Sequence, residues 1–351
     1  MSQIPTQTTF KRNAHVNFFL RCLRALPTAA QDHDSNRITI AYFCISGLDL
    51  LGVLEEKTTL SQREGWAAWI WRLQAPTGGF QGSTSMTTKW AKNPTTSCAD
   101  LPSTYTALLT LALLRTPLNQ LDIPNLIAFI RSCQTPDGSF SPVPVEHEDG
   151  GFQSDLRMTY CASAIASIVQ DFSGINVAAA SAMIERCRTW EGGFASRPGV
   201  IEAQGGTTYC ALASLSLLPL ASTPSISNAA TGLRWLLQRQ IGGFQGRPGK
   251  SEDVCYSFWC GAAISIAGHS RLVDRDADRA FLLSAQSPIG GFGKDPEDHP
   301  DPYHSYLALA ALALSHSEYG GLGLRELDPA WNVSVQTAEW LRSEMARVKR
   351  I

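Results

Sequence analysis

Three residues in the last third of the chain bring together a carboxylate, a thiol and an imidazole: Asp253, Cys255 and His304. Asp253 and Cys255 lie in the string Gly246-Arg-Pro-Gly-Lys-Ser-Glu-Asp-Val-Cys-Tyr-Ser-Phe-Trp259, and His304 in Lys294-Asp-Pro-Glu-Asp-His-Pro-Asp-Pro-Tyr-His-Ser-Tyr306. Three protein ligands with a fourth position open form the pattern of a catalytic zinc site. Arg247 and Lys250 add cations of the kind that hold an anionic leaving group. Taken alone, the spacing fits equally well a capping aspartate, a buried cysteine and ordinary loop cations.

Both strings end where an apolar helix begins, and the chain repeats this arrangement. Gly-Gly-Phe occurs five times, ending at Phe80, Phe152, Phe194, Phe244 and Phe292, roughly 40–50 residues apart for the most part, the range of a two-helix repeat. Asp137-Gly138-Ser139-Phe140 is a weaker relative. Each triplet follows a segment of helical pattern, at Gln62–Leu73, Leu121–Cys133, Ala178–Arg188, Leu233–Gln240 and Ala277–Ala285, and reads as its stop. After each comes a more apolar helix, at Thr104–Leu114, Thr159–Val169, Thr208–Leu218, Cys255–Ala267 and His304–Leu314. Ile38–Leu51 opens this series. A helix apolar on all sides is buried on all sides, whereas Arg279–Gln286 and Gln336–Lys349 carry a charged face. Six apolar helices alternating with six more polar ones predict an all-α, α/α toroid of six inner and six outer helices around a central funnel. An open solenoid shows the same alternation. Inner helices of a toroid run the same way, so their N-termini share one rim, where unpaired N–H groups favour anions.

With 351 residues and 44% hydrophobic composition the chain can bury one large core. The expected division is a flexible 1–12 and a single domain over 13–351. A net charge of −2 gives no footprint for nucleic acid. Nine cysteines without a CxxC pair argue against a disulfide framework. No run approaches a membrane span, and the polar Met1–Lys11 lacks a signal-peptide pattern, so a cytoplasmic location is expected.

The strings Gly246-Arg-Pro-x-Lys-x-x-Asp-x-Cys-Tyr-Ser-Phe-Trp259 and Asp301-x-x-His-Ser-Tyr306 together resemble the signature of protein prenyltransferase β subunits, and the resemblance runs from about Arg37 to Ser334. It implies a zinc ion, one per subunit, held by Asp253, Cys255 and His304, and a funnel for an isoprenoid diphosphate. The zinc would activate the cysteine of a protein's C-terminal CaaX sequence. Arg247, Lys250 and Tyr256 would stabilise the departing diphosphate, with Gln204 and Lys294 beside them. Thr39, Tyr105, Arg157, Tyr160, Cys210 and Trp259 would line the lipid. Thr39, Phe43, Asp100, Gln153, Arg157 and Tyr303 would contact the peptide. The family works as an obligate heterodimer with a helical α subunit.

Within that family the chain looks most like the type I geranylgeranyl-transferring enzyme, whose substrates are CaaX proteins ending mostly in leucine, such as Rho-like GTPases. Thr39 stands where farnesyltransferases carry a tryptophan that closes the bottom of the funnel. Lys294 stands where they carry a magnesium-binding aspartate, so magnesium is not expected to be required. The tail from Leu327 to Ser334 also resembles type I. Gln204, Asp100 and Gln153 depart from the family's usual His, His and Glu, and Tyr303 resembles the farnesyl type. A farnesyltransferase β subunit and a non-catalytic helical-barrel scaffold are the alternatives. A Rab-type subunit is disfavoured by Lys294. A terpene cyclase would need a DxDD motif; here Asp274, Asp276 and Asp278 alternate and read as a solvated helix start. One isoprene unit adds about five carbons of burial, on the order of 3–4 kcal/mol. Thr39→Trp is therefore expected to move the product ratio towards the shorter lipid by at least tenfold in competition; an unchanged ratio removes Thr39 from the selection.

Overall fold

The computed structural model describes residues 9–26, 28–86, 99–145, 154–220, 229–314 and 322–350. Its inner helices are α2 (Arg37–Leu50), α5 (Leu101–Leu113), α7 (Leu156–Ile168), α9 (Gly205–Leu217), α11 (Val254–Ile266) and α13 (Pro302–Leu314). Each packs on the next, and α13 packs back on α2, so the ring is closed rather than an open solenoid. Outside it lie α1 (Arg12–Arg24), α4 (Leu60–Trp71), α6 (Ile123–Cys133), α8 (Val177–Arg186), α10 (Ala229–Leu237) and α12 (Arg275–Ser284). A short α3 (Leu54–Lys57) joins α2 to α4. Beyond α13 come a two-stranded hairpin, β1 (Leu327–Asp328) with β2 (Val333–Ser334), and α14 (Val335–Val348). No helix among the described residues is long and apolar enough to cross a membrane.

The inner helices begin one to three residues before the apolar pattern does, because polar residues cap them. Asp100, Asp155 and Asp253 accept the N–H of Ser103, Arg157 and Cys255 at 2.7, 2.8 and 2.9 Å. Such a cap is worth about 1 kcal/mol, and proline in the first turn of α5 and α13 is tolerated there because its missing N–H has no helical partner.

The glycine-aromatic strings do more than stop helices. Phe80, Phe140, Phe194, Phe244 and Phe292 are each at most 1% exposed, and each bridges back to a residue just past the end of the preceding outer helix: Gln74, Gln134, Arg188, Gln240 and Gln286. Asp137-Gly138-Ser139-Phe140 is thus the strap of the second repeat, and the triplet at 150–152 lies outside the described residues. The carbonyls of Phe80, Phe194, Phe244 and Phe292 then accept the N–H of the next inner cap, Asp100, Gln204, Asp253 and Asp301, at 3.0–3.3 Å. One residue beyond, Ile38, Leu101, Leu156, Gly205 and Val254 donate to carbonyls of the following repeat's loop, Gly82, Pro142, Ser196, Gly246 and Lys294, at 2.8–3.0 Å. Along the rim these backbone bonds join each repeat to the next from α2 round to α13, and the series stops at the closure, where α13 begins with Pro302.

The same features identify the sixth outer helix as α1, not the charged C-terminal one. Gly78, at φ 90°, lies so close to α6 that a Cβ would sit 2.1 Å from the Asn125 carbonyl; Gly290, also at 90°, stands in the same relation to Ala14 of α1, at 2.0 Å. Only glycine accepts both the positive φ and the approach. Gln134 and Gln240 exchange paired side-chain bonds with the cap residues of the next outer helices, Asn176 and Asp274. Gln286 does this across the closure, accepting from Lys11 N–H at 2.9 Å. Helix α14, the predicted Gln336–Lys349, instead lies across the far end, where Leu118 N–H bonds Glu344 and Lys349 bonds the Gln170 carbonyl. The aspartates at the start of α12 are not all solvated either: Asp274 caps the helix, but Asp278 is buried against Ser257 at 2.6 Å, and burial raises its pKa to about 7.

The hairpin tip plugs the ring at the deep end of the inner helices. Tyr209, Tyr160 and Tyr105 donate to the carbonyls of Pro329, Ala330 and Trp331 at 2.9, 2.9 and 3.0 Å, and Tyr306 and Tyr42 to that of Asn332. Tyr42, Tyr105, Tyr160 and Tyr209 each stand four residues after a rim donor, and Tyr306 four after Pro302 at the start of α13, so five inner helices grip the tip at one level. Buried Asp49 fastens the hairpin's base, bonding Arg325, Ser334 and Thr337.

Ring closure depends on a neutral histidine. His15 of α1 is fully buried, accepts the Gly291 N–H at 3.0 Å, pairs with Gln286 at 2.9 Å and stacks on Phe292 at 4.5 Å. Burial, outweighing the Gln286 bond that opposes it, lowers its pKa from 6.5 to about 4. The unfolded chain therefore takes up this proton before the native one does. His15 contributes stability in full above pH ~6.5 and loses it as pH falls towards ~4, on the order of 3 kcal/mol at most. The thermal midpoint should drop across that window, and His15→Asn, which keeps an acceptor for Gly291 but cannot titrate, should flatten the drop. Parallel pH profiles for the two proteins would exclude this latch.

Candidate metal centre and funnel

The ligand atoms of Asp253, Cys255 and His304 lie within 4.8 Å of one another. Their elements explain why. Asp253 is the cap of α11 and Cys255 lies in its first turn, while His304 lies in the first turn of α13, the next inner helix. His304 Nε2 is 3.6 Å from Asp253 Oδ1. The other ring nitrogen is engaged: Nδ1 lies 2.6 Å from Asp301 Oδ2, and Asp301 also accepts the His304 N–H at 2.9 Å. A carboxylate on Nδ1 fixes the ring and leaves Nε2 as the ligating atom. Asp301 thus orients the His304 ring, and an Asp three residues before a His at a helix start is its signal in the sequence.

Burial and the neighbouring Asp253 carboxylate push the Cys255 thiol up, against a bond from Tyr303 that lowers it. Near neutral pH a cation is what would hold it as a thiolate. A thiol, an imidazole and a carboxylate also suit a borderline-soft ion, unlike the all-oxygen sets of calcium and magnesium. The residues fit a metal.

Around the centre the rim loops carry the cations. Arg247 is half-exposed and paired with Glu202 at 2.6 Å, an ion pair worth at most about 1 kcal/mol and easily exchanged for another anion. Lys250 stands exposed where the turn from Arg247 closes, its N–H reaching the Arg247 carbonyl at 3.3 Å. Lys294 is exposed beside Cys255, since its carbonyl holds the Val254 N–H. Gln204 does not cap its helix; its Nε2 donates to the Tyr256 hydroxyl at 2.8 Å. The Tyr256 ring rests against Gly246, where a Cβ would meet it at 2.2 Å. Burial, with Cys255 and Asp253 close by, raises its phenol, which remains a donor.

The inner faces form levels. Thr39, Arg157, Cys255 and Tyr303 occupy equivalent places in the first turns of α2, α7, α11 and α13, and one turn deeper come Phe43, Cys210 and Trp259. Thr39 Oγ1 lies 3.5 Å from Thr106 Oγ1 of α5. Trp259 donates to the Tyr303 hydroxyl at 3.2 Å, and Phe43 packs on Tyr303 at 5.5 Å. Tyr105 and Tyr160 belong to the ring that grips the hairpin tip, so their hydroxyls are committed and their ring edges remain.

Two further candidates are engaged locally. Arg157 is exposed and bonds the carboxylate of its own cap, Asp155, through Nε and Nη2. Asp100 is bonded to Ser103 N–H and hydroxyl, and burial raises its pKa to about 6. Gln153 lies outside the described residues.

The chain matches the Prenyltransferase alpha-alpha toroid domain over residues 10–333. It is 35% identical to the geranylgeranyl transferase type-1 subunit beta of Arabidopsis thaliana, over 93% of this chain and 90% of that one. It is 28% identical to the protein farnesyltransferase subunit beta of Schizosaccharomyces pombe, over 89% and 80%. Its fold superposes on the Candida albicans protein geranylgeranyltransferase-I complexed with GGPP with a TM-score of 0.84, at 29% identity, covering 96% of this chain and 99% of that one.

Cys255→Ala should abolish retention of a divalent metal after dialysis against chelator, and Asp301→Asn should weaken it about 10–100-fold. Elemental analysis decides both, and a metal-replete Cys255→Ala protein refutes the ligand set.

Proposed function

Because the chain belongs to the prenyltransferase alpha-alpha toroid family, we propose that it is the β subunit of a type I protein geranylgeranyltransferase, joining a geranylgeranyl group to the cysteine of C-terminal CaaX sequences. The observation that carries the reading is the Asp253, Cys255 and His304 group, placed at the rim of the funnel among Arg247, Lys250, Lys294 and Tyr256. A zinc ion there would leave one position for a substrate thiol and hold it as a thiolate at neutral pH.

The chain's own residues do the rest. Asp253 and Cys255 come to the centre from one helix start, and Asp301 presents His304 with Nε2 forward. The lipid lies along Thr39, Phe43, Trp259 and Cys210, with the tyrosine ring and hairpin tip beneath. Arg247 releases Glu202 and, with Lys250 and Lys294, takes up the negative charge that grows on the departing diphosphate. Tyr256, turned towards the rim by Gln204 and kept protonated, donates a hydrogen bond to the same group. The ammonium of Lys294 replaces a metal-bound charge, so magnesium is dispensable. Peptide contacts fall to Thr39, Phe43, Tyr303 and Arg157, the last after it exchanges Asp155.

A second subunit completes the enzyme; the relatives named above are called beta subunits. The farnesyl alternative rests on Tyr303 and the 28% relative. It is disfavoured by the small Thr39, by Lys294 and by the higher identity to the type-1 subunit.

Arg247→Ala should slow single-turnover transfer by about 10²-fold or more while lipid binding weakens far less; equal losses in both would make Arg247 a binding residue only. The deciding assay offers equal geranylgeranyl and farnesyl diphosphates and a Leu-ending CaaX peptide to the chain co-purified with its partner, with zinc and no magnesium. Geranylgeranylated peptide is expected. Farnesylated peptide, or turnover only after magnesium is added, assigns the chain to the farnesyl type, and a metal-replete complex with no turnover supports the scaffold.

A further inference from the structure

Helices α1 and α2 pack in opposite directions at the seam where the ring closes. Arg12, at the start of α1, bonds the Leu51 carbonyl just past the end of α2. The Phe19 ring lies on Gly47, where a Cβ would come within 2.5 Å of it. One turn further along α1 and one turn back along α2, Cys22 and Cys44 come side by side across the seam, near enough that each perturbs the other's thiol. Both cysteines line a cavity of about 640 Å³ on the outer side of α2, walled by Trp66 and Trp69 of α4. This cavity is separate from the funnel, since Thr39 and Phe43 occupy the opposite face of the same helix. Cys44 is fully buried and Cys22 half-buried, so a small reagent in the cavity meets Cys22 first. Neither sulfur takes part in the metal centre or in the lipid wall.

We propose that Cys22 and Cys44 form a redox modification site, at which a peroxide converts the two thiols into a disulfide that fastens α1 to α2. Cys22 is the attacking thiol because it is the one the cavity exposes, while Cys44 is fully buried; the neighbouring Cys44 also lowers its pKa against the opposing effect of burial, and Cys44 stays protonated and resolves the intermediate. The Cys22 sulfur attacks one peroxide oxygen, the O–O bond breaks, and the hydroxide released takes the thiol proton to give water. Cys22 is then a sulfenic acid. The Cys44 sulfur displaces its hydroxyl, which leaves with the Cys44 proton as a second water while the S–S bond forms. Two electrons pass from the two thiols to one peroxide, and a dithiol reductant reverses the change.

The site is read directly by treating the full chain, with any subunit that co-purifies, with hydrogen peroxide, alkylating the remaining thiols and mapping peptides. A Cys22–Cys44 crosslinked peptide is expected, with a loss of about 2 Da from the chain, reversal by dithiothreitol, and a thermal midpoint several degrees higher while oxidised. Cys22→Ser, at the half-exposed position, should remove both the crosslink and the rise. The proposal is overturned if both cysteines remain fully alkylatable after peroxide, if either pairs with a different cysteine, or if Cys22 stops as a trappable sulfenic acid while Cys44 stays reduced. Mapping the unmutated chain keeps the test decisive even where a Cys44 variant does not fold.

Discussion

The backbone bond from the cap residue of an inner helix to the carbonyl of its strap aromatic is the constraint on which the rest of this structure depends. It ties Asp253 to Phe244 and Asp301 to Phe292 at 3.0 and 3.3 Å. With the aromatic fully buried, the cap cannot slide along the chain, and its side chain is aimed before any ligand arrives. Metal ligation, helix capping and repeat packing are thus three uses of one short stretch. A shift of one strap would move the metal group and the adjacent repeat together.

Reuse of one backbone position for different ends follows from that constraint. Asp100 only caps its helix, whereas Asp155 caps and also bonds Arg157. Asp253 caps through Oδ1, the oxygen that also lies 3.6 Å from His304 Nε2, and Asp301 caps while orienting an imidazole. Gln204 leaves its helix uncapped and reaches Tyr256 instead. A glutamine cannot compensate a positive ion, but it can place a phenol. Each variation changes the chemistry at the rim without disturbing the backbone bonds beneath it, whose donors and acceptors are peptide groups.

Much of this was legible in the order of residues, for reasons that differ from part to part. The alternation of apolar and amphipathic helices showed because a helix buried on every side has no polar stripe. The metal group showed through its three unlike donors at helix starts. The role of α1 did not show, since no strap follows Arg12–Arg24 before α2 and its partners, Gln286 and Gly290, are more than 260 positions away. The second strap was hidden by a serine in place of glycine at position 139. Thr39 had the right neighbours in sequence, but its level in the funnel depends on where α2 starts, which the Gly82 carbonyl fixes from another loop. Asp301 passed as one of several loop carboxylates because its partner is a side-chain nitrogen whose direction no spacing rule reports.

Closure through α1 has a consequence for how the molecule is made. The helix that completes the outer ring is synthesised 271 positions ahead of the groove that receives it, between Gln286, Gly290 and Phe292. Contacts of such long sequence separation form slowly, and at about 5–20 residues per second the ribosome holds α1 without its partner for many seconds. During that time His15 and Phe18, whose native partners are Gly291 and Phe292, have no groove to enter. The toroid is therefore a fold in which an early helix waits for a late groove, and the nascent chain, more than the finished one, is where a chaperone would be needed.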